Sequence, residues 1–360
     1  MASRSLVALT LLGLGLAFAT SAGLAQPDPA NVDLRVRHAQ PGSVLIFPLY
    51  DSTPGNNTLI SVTNLNESEV LCDNGLRQGD VQLHYNYFSE VWEQSDSDED
   101  LTPADTITVL ARGHNPNPER GFLVVESRDP ETNLPIDYDF LIGSAIIVNS
   151  EFDFQWAYTP YAFEGLPLGN RADGAWNSAC GFPIIDLPTD PDFDTLDFDG
   201  DELSFFPQTL YIDHFFGEGT PASFPGVTFS NTLHLMSTSP GGPDVDDMTE
   251  VSVVGYNNNE RLFSRTFRFN CYISQNLDDI TNATSQAQLA TGGDSDELLG
   301  VSYGWLRMHA TNEVARGASP FSHAILGVFS HQAMLGAEMF VAGRELQYTG
   351  SRRASLPRGF

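Results

Sequence analysis

The chain has 360 residues, 47 of them acidic and 17 basic, for a net charge of −30, and every basic residue is arginine. A surface this acidic repels phosphate backbones and anionic headgroups, which argues against nucleic acid and membrane as partners. The absence of lysine excludes Schiff-base chemistry, Walker-type phosphate loops and Ser–Lys dyads.

Hydrophobic residues make up 41% of the chain, enough for packed cores and too many for a disordered one. The acidity has two readings: adaptation of the whole surface to a saline habitat, or a specific affinity for cations.

Arg4 followed by the uncharged run Leu6–Ala19 and the mostly small residues Ser21–Ala25 reads as a signal peptide over residues 1–25. The run is shorter than the roughly 20 residues a membrane helix needs. No later stretch approaches that length, so the expected protein is soluble and secreted, periplasmic or extracellular. Residues 26–42 read as a flexible lead-in.

A β-domain is expected over 43–163. SVLIFPLY (43–50) is an apolar run whose Pro48 suggests an edge strand or a strand end. DSTPGNN (51–57) has the residues of a hairpin turn, and a Thr- and Val-containing strand follows at 58–63. VQLHYNYF (81–88) alternates with period two. An acidic loop, Asp96–Asp100, leads to the strand TITVL (106–110). GFLVVES and LIGSAIIV bracket a polar linker within 121–148, and Phe152, Phe154, Trp156 and Tyr158 form one aromatic face. Short strands punctuated by turns predict an all-β, antiparallel, immunoglobulin-like sandwich, although the Cys–Trp–Cys spacing of true immunoglobulin domains is absent.

Residues 164–202 lack periodicity and read as an acidic connector, with eight acidic residues and no basic one between Asp186 and Glu202. Beyond it the features restart in order over 203–342. SFFPQTLYI (204–212) echoes SVLIFPLY, NTLHLMST (231–238) echoes NTLISVTN (57–64), and VSVVGYNN (251–258) echoes VQLHYNYF. GWLRMHA (304–310) echoes GFLVVES, and HAIL (323–326) echoes SAII (144–147). The collinear order predicts a second sandwich by internal duplication, with two unrelated β-domains as the alternative. Thr281–Leu289 and Val328–Val341 are the two stretches with helical character, and 343–360 is a basic tail that simple attraction would hold against its own domain, with a partner-binding tag as the alternative.

Candidate chemistry is sparse. Asp192, Asp194, Asp197, Asp199, Asp201 and Glu202 offer oxygen ligands on one loop, and Asp197–Glu202 contains the D-x-D-G core of many calcium loops. It departs from the EF-hand, with Thr195 at the first position and Phe206 where the bidentate Glu belongs. An irregular calcium site and a solvated acidic linker are both open. Gly300-Val301-Ser302-Tyr303-Gly304 fits G-x-S-x-G, which makes Ser302 a formal nucleophile candidate. It runs into an apparent strand rather than a helix, no oxyanion segment precedes it, and the reading here is a fortuitous match. Gly293-Asp294-Ser295 is fainter still. The histidines show neither H-E-x-x-H nor H-x-H spacing.

The aromatic face 152–158 suits either a sandwich core or a platform for sugar rings. Of the three cysteines, Cys180 and Cys271 are expected to pair, tying the connector to a strand of the second domain and leaving Cys72 free. The competing pair Cys72–Cys180 would staple the connector to the first domain. The expectation is a secreted, non-enzymatic surface, matrix or adhesion protein with calcium as its ion. A carbohydrate-binding module is the alternative, and a serine hydrolase centred on Ser302 is the second. Expected partners are cations and a surface glycan or protein.

Overall fold

The computed structural model describes residues 37–38, 40–115, 120–151, 154–166, 177–188, 193–222, 224–239, 248–289, 302–316 and 319–358. The expected signal peptide lies outside them. Among the described residues no helix is long and apolar enough to cross a membrane.

The fold is all-β and antiparallel. The first half comprises β1 (Arg37–His38), β2 (Val44–Asp51), β3 (Asn56–Asn64), β4 (Val81–Ser89), β5 (Gln94–Leu101) and β6 (Thr106–Leu110). A short helix α1 (Ala111–His114) precedes β7 (Arg120–Arg128), β8 (Leu141–Asn149), β9 (Phe154–Tyr158) and β10 (Tyr161–Phe163). These strands form one sheet in the order β1-β10-β2-β7-β4-β5 and another in the order β6-β3-β8-β9.

β11 (Thr195–Phe198) lies in the connector. The second half holds β12 (Thr209–Phe216), β13 (Val227–Ser237), β14 (Thr249–Asn257), β15 (Leu262–Phe269) and β16 (Tyr272–Asn276). Helices α2 (Leu277–Thr281) and α3 (Gln286–Leu289) lead to β17 (Tyr303–Ala310), then β18 (Glu313–Arg316) and β19 (Ser319–Ser322). The chain ends with β20 (Ile325–Leu335), β21 (Glu338–Glu345), β22 (Gln347–Thr349) and β23 (Ala354–Pro357). The principal sheets here run β15-β14-β17-β12-β22 and β16-β13-β20-β21, with small pairs β11-β23 and β18-β19 beside them.

Alternation explains the sheets. In β3, Thr58, Ile60, Val62 and Asn64 are buried while the residues between them face outward, and the Ser61 and Thr63 hydroxyls meet those of Thr108 and Thr106 at 2.8 and 2.9 Å. Gly143 on β8 is small because a Cβ there would meet Phe47 Cζ at 2.8 Å, so the two sheets of the first half face each other closely. In the second half Leu210 and Ile212, Leu233 and Leu235, and Leu306 and Met308 share one buried cluster drawn from both sheets.

The two halves repeat one strand order. Reading β2, β3, β4, β5, β6, β7, β8, β9 and β10 against β12, β13, β14, β15, β16, β17, β20, β21 and β22, every neighbour relation is preserved. The register repeats too. Phe47 pairs with Leu123 and Tyr50 with Gly121 across a bulge in β2; Ile212 pairs with Leu306 and Phe215 with Gly304 across a bulge in β12. Helix α1 directly follows β6, as α2 directly follows β16.

Several expectations are corrected. The order is not that of an immunoglobulin domain, whose first strand pairs with its second: β2 pairs with β7, and the turn 51–57 is a corner between sheets, not a hairpin. Asp51 holds that corner, accepting from Thr53 N at 3.0 Å and Asn56 Nδ2 at 3.1 Å. β2 is interior rather than an edge, because Pro48 falls in the bulge, where the ladder is already interrupted. The acidic loop 96–100 is most of edge strand β5, with its charges turned outward as edges favour. Val328–Val341 is a hairpin whose turn places Gly336 at φ +64°, not a helix. Thr281–Leu289 contains α3, and the counterpart of TITVL (β6) in the second half is β16. Within the lead-in, Arg37–His38 pairs with β10.

The basic tail crosses to the other half. β23 pairs with β11 of the connector, and Arg358 reaches Glu126 and Asp186.

Candidate functional site

Of the six acidic residues expected to ligate calcium, five lie among the described residues. Asp192 lies outside the described residues. The Asp194 carbonyl accepts from Arg358 N at 2.8 Å. Asp197 and Glu202 are buried, and Thr195 Oγ1 donates to Asp197 Oδ1 at 3.2 Å. Asp199 caps its own turn, accepting from Asp201 N at 2.8 Å, and Asp201 is exposed. Among the described residues no three acidic, histidine or cysteine side chains group as a metal site.

The disulfide is Cys72–Cys180, with Cα atoms 5.0 Å apart, and Cys271 is the free, buried thiol. This corrects the expected Cys180–Cys271 pair. The reason is the path of 177–188, which docks on the β7–β8 loop: Asp137 N donates to the Pro183 carbonyl at 2.8 Å and Ile185 N to that of Pro135 at 2.9 Å. Phe182 packs edge-on against Tyr138 at 4.8 Å, and Cys180 is carried to the first half. Cys271 instead donates from Sγ to the Glu90 carbonyl at 2.9 Å.

Ser302 is buried at the entry to β17, and its carbonyl accepts from Gly217 N at 2.7 Å. The chain continues as a strand, whereas a nucleophile elbow opens a helix. Gly300, Val301 and the 293–295 segment lie outside the described residues.

Of the aromatic face, Phe152 lies outside the described residues, Phe154 is half-buried, and Trp156 and Tyr158 are buried. The Tyr158 hydroxyl donates to the Leu49 carbonyl. Trp156 does something more particular. It sits where β9 meets β21, its ring so close to Gly343 that a Cβ there would stand 1.9 Å from Cε3, and it stacks on His234 of β13 with centroids 6.4 Å apart.

Beside that contact a cleft of about 250 Å³ opens between the halves. The first half contributes Asp51, Asn56, Arg120, Asn149 and Trp156; the second contributes Thr232, His234, Ser274, Ser330 and Gln332. Amides, hydroxyls, a carboxylate and a guanidinium therefore converge beside one indole. Arg120 is fixed by Glu90, with Nε to Oε1 at 2.5 Å, and Asn149 Nδ2 donates to Asn56 Oδ1 at 2.6 Å. Burial, reinforced by Arg120, pushes the His234 imidazole down to about 3, so it is neutral at ordinary pH. Its Nδ1 lies 3.2 Å from the Tyr272 hydroxyl.

No family model matches the chain. No curated protein matches its sequence. Among solved structures, it resembles the crystal structure of Thermotoga maritima 1070 at 7% identity and a TM-score of 0.25, over 40% of this chain and 97% of that one. It also resembles the crystal structure of the CupB6 tip adhesin from Pseudomonas aeruginosa at 7% identity and a TM-score of 0.13, over 88% of this chain and 96% of that one. Likenesses this distant carry no argument about fold or function.

Sequence reasoning singled out Phe154 and Trp156 among the cleft residues. Arg120, Asn149, His234 and Gln332 carry no motif and stand on strands far apart in the chain. The meeting of edge strands β9 and β21 brings them together.

Proposed function

We propose that the protein is an exported, non-enzymatic surface or adhesion-type binding protein that recognises a saccharide in the cleft between its halves. The observation that carries this reading is the convergence on Trp156 of planar and hydroxyl polar groups from both halves. Sugar hydroxyls both donate and accept, and carboxylate, amide and guanidinium groups satisfy them in pairs, while an indole complements the apolar face of the ring. The cleft lining supports binding more than turnover.

We further infer that the chain arose by duplication of a nine-stranded β-sandwich unit. The shared strand order, the shared bulge register and the helix that follows β6 and β16 support this over two unrelated domains.

Glycan-array screening followed by calorimetry tests the function. Gln332→Ala and Asn149→Ala should weaken a saccharide that binds by roughly 5- to 30-fold each, the cost of about one to two hydrogen bonds, in variants whose melting curves show them folded. Saccharide affinity indifferent to both substitutions, or no glycan bound on the array, would refute the reading.

A further inference from the structure

The second half carries its own opening at the place where the first half contributes to the cleft. The bulge in β12 presents Asp213 and His214 as the bulge in β2 presents Pro48 and Leu49. Ile60 pairs with Ala145, and Leu233 pairs with Phe329, so His331 takes the place of Ile147 two residues further on. The opening holds about 240 Å³ and is bounded by His214, Phe216, Phe329, His331, Gly343 and Arg344.

Its chemistry differs from the cleft's. The lining is chiefly aromatic: the His331 ring lies 5.0 Å from that of Phe216 and stacks on Phe229 at 5.6 Å, while His214 meets Tyr303 at 5.3 Å. Two polar groups stand against this background. Asn231 Nδ2 donates to the Phe216 carbonyl at 2.7 Å, which turns its Oδ1 toward His331 Nδ1 at 2.6 Å. Nδ1 must therefore carry the proton, and Nε2 is left as a bare acceptor. That nitrogen is buried and meets no partner among the described residues. An acceptor in that position costs free energy until a donor reaches it. Burial, together with His214 and Arg344, pushes the imidazole down to about 4, so it stays an acceptor at neutral pH.

The second group is Arg344. It commits Nη2 to Asp213 and to the His214 carbonyl, leaving Nε and Nη1 without a partner among the described residues. The guanidinium at the rim still offers one charged N–H, from Nε or Nη1, to a carboxylate oxygen. A ring is the natural occupant of the space between, since an apolar cavity of about 150 Å³ already takes benzene.

We propose that this opening is a second ligand site, for a small aromatic carboxylate bearing a hydroxyl group. The ring lies among Phe216, Phe329 and His214, the hydroxyl donates to His331 Nε2, and the carboxylate meets Arg344. Because the cleft's polar lining does not suit such a ligand, the proposal stands apart from the saccharide reading.

The probe is 4-hydroxybenzoate, titrated by calorimetry into the full-length chain at pH 7, beside benzoate and phenol. We expect saturable binding, with benzoate and phenol each about 5- to 10-fold weaker, since each lacks one of the two polar contacts. Arg344→Gln should reduce 4-hydroxybenzoate to the affinity of phenol, and His331→Phe to that of benzoate, with melting curves confirming that both variants fold. Failure to saturate at about 10 mM, a limit set by the weakest affinities a small ligand shows, overturns the proposal. So does binding that neither substitution in a folded protein alters.

Discussion

Arg358 Nε donates to Glu126 Oε1 at 3.1 Å, while Arg358 Nη1 donates to Asp186 Oδ2 at 2.6 Å and to the Phe193 carbonyl at 2.7 Å. All three charged side chains are buried, and Arg128 holds the other oxygen of Glu126 at 2.9 Å. The last described residue thus locks the connector and the second half to β7. Within the acidic connector, the buried carboxylate of Asp186 takes its counter-ion from the tail.

Arg358→Ala should destabilise the protein by about 3–5 kcal/mol, because removing one partner strands buried carboxylates. The dependence on pH follows from Glu126. Burial alone would raise its pKa, but Arg358 and Arg128 outweigh that and hold it below the usual 4.5. A depressed carboxyl contributes stability that is present above its unfolded pKa and lost as pH falls through the folded value. The difference between wild type and Arg358→Ala in urea denaturation should therefore be full at pH 7 and shrink below about pH 4.5, the ordinary glutamate value. A difference that is flat down to pH 3 would contradict it.

Asp137 has the opposite sign. Burial, with Asp139 and Glu164 nearby, pushes its carboxyl up to about 7, and Asp139 is pushed to about 6 chiefly by burial. A carboxyl raised above its unfolded pKa contributes stability at low pH that is lost as pH rises through the folded value. Asp137→Asn should therefore raise stability at pH 8 by about 1–2 kcal/mol, a discounted share of the linkage for a partly buried group, and change little at pH 4. Thermal melts at both pH values check this, and a destabilised variant at pH 8 would count against it.

Which strands of the two halves correspond was legible in the chain, but their order in the sheets and their register were not. All five echoes fall on topologically matching strands, yet only Gly121 and Gly304 match in register: each closes the bulged pair, with Tyr50 and with Phe215. Glycine is needed there because a Cβ on Gly121 would stand 1.9 Å from the Phe88 carbonyl oxygen, and one on Gly304 2.6 Å from that of Tyr256. The paired asparagines Asn57 and Asn231 misled by one residue, since burial matches Ile60 with Leu233. A slip of one residue exchanges the faces of a strand, and two similar threonine-rich strings cannot reveal it. The cleft was illegible for another reason. Its residues face each other only because two edge strands, β9 and β21, meet, and no local spacing encodes that meeting.

For the cysteines, non-reducing peptide mapping should recover a Cys72–Cys180 cross-link. Its ends lie 108 positions apart, for which chain entropy gives a stabilisation of about 4–5 kcal/mol on a model-dependent basis. Cys271 should resist thiol reagents in the folded state, since burial pushes its pKa up to about 12. Labelling of Cys271 as fast as in urea would contradict this placement.

Calcium at millimolar concentration should shift the melting temperature by less than about 1 °C, less than the several degrees that a saturated site worth 2–3 kcal/mol gives a chain of this size. Asp186 is neutralised by Arg358, and Asp197 and Asp199 accept from neighbours in their own loop. A saturable rise of several degrees, with magnesium inert, would instead show calcium to be a ligand.

The contact between the halves can be tested at its tightest point. Gly343 lies on β21 opposite the Trp156 ring, and any side chain there collides with Cε3 and Cζ3 of the indole, at 1.9 and 2.2 Å from an ideal Cβ. The ring cannot simply retreat, because it stacks on His234 and lies against Tyr158, whose hydroxyl is bonded to the Leu49 carbonyl. Gly343→Ala should therefore destabilise the protein by about 1–3 kcal/mol, the usual cost of overpacking a filled interface. Trp156→Leu should cost about 2–4 kcal/mol through lost burial. The double variant should be less unstable than the sum of the two, since removing the indole makes room for the new methyl group. A coupling of at least 0.5 kcal/mol in that cycle is expected of residues in direct contact. Strict additivity would mean that β9 and β21 do not meet through this pair, and the cleft beside them would lose its wall.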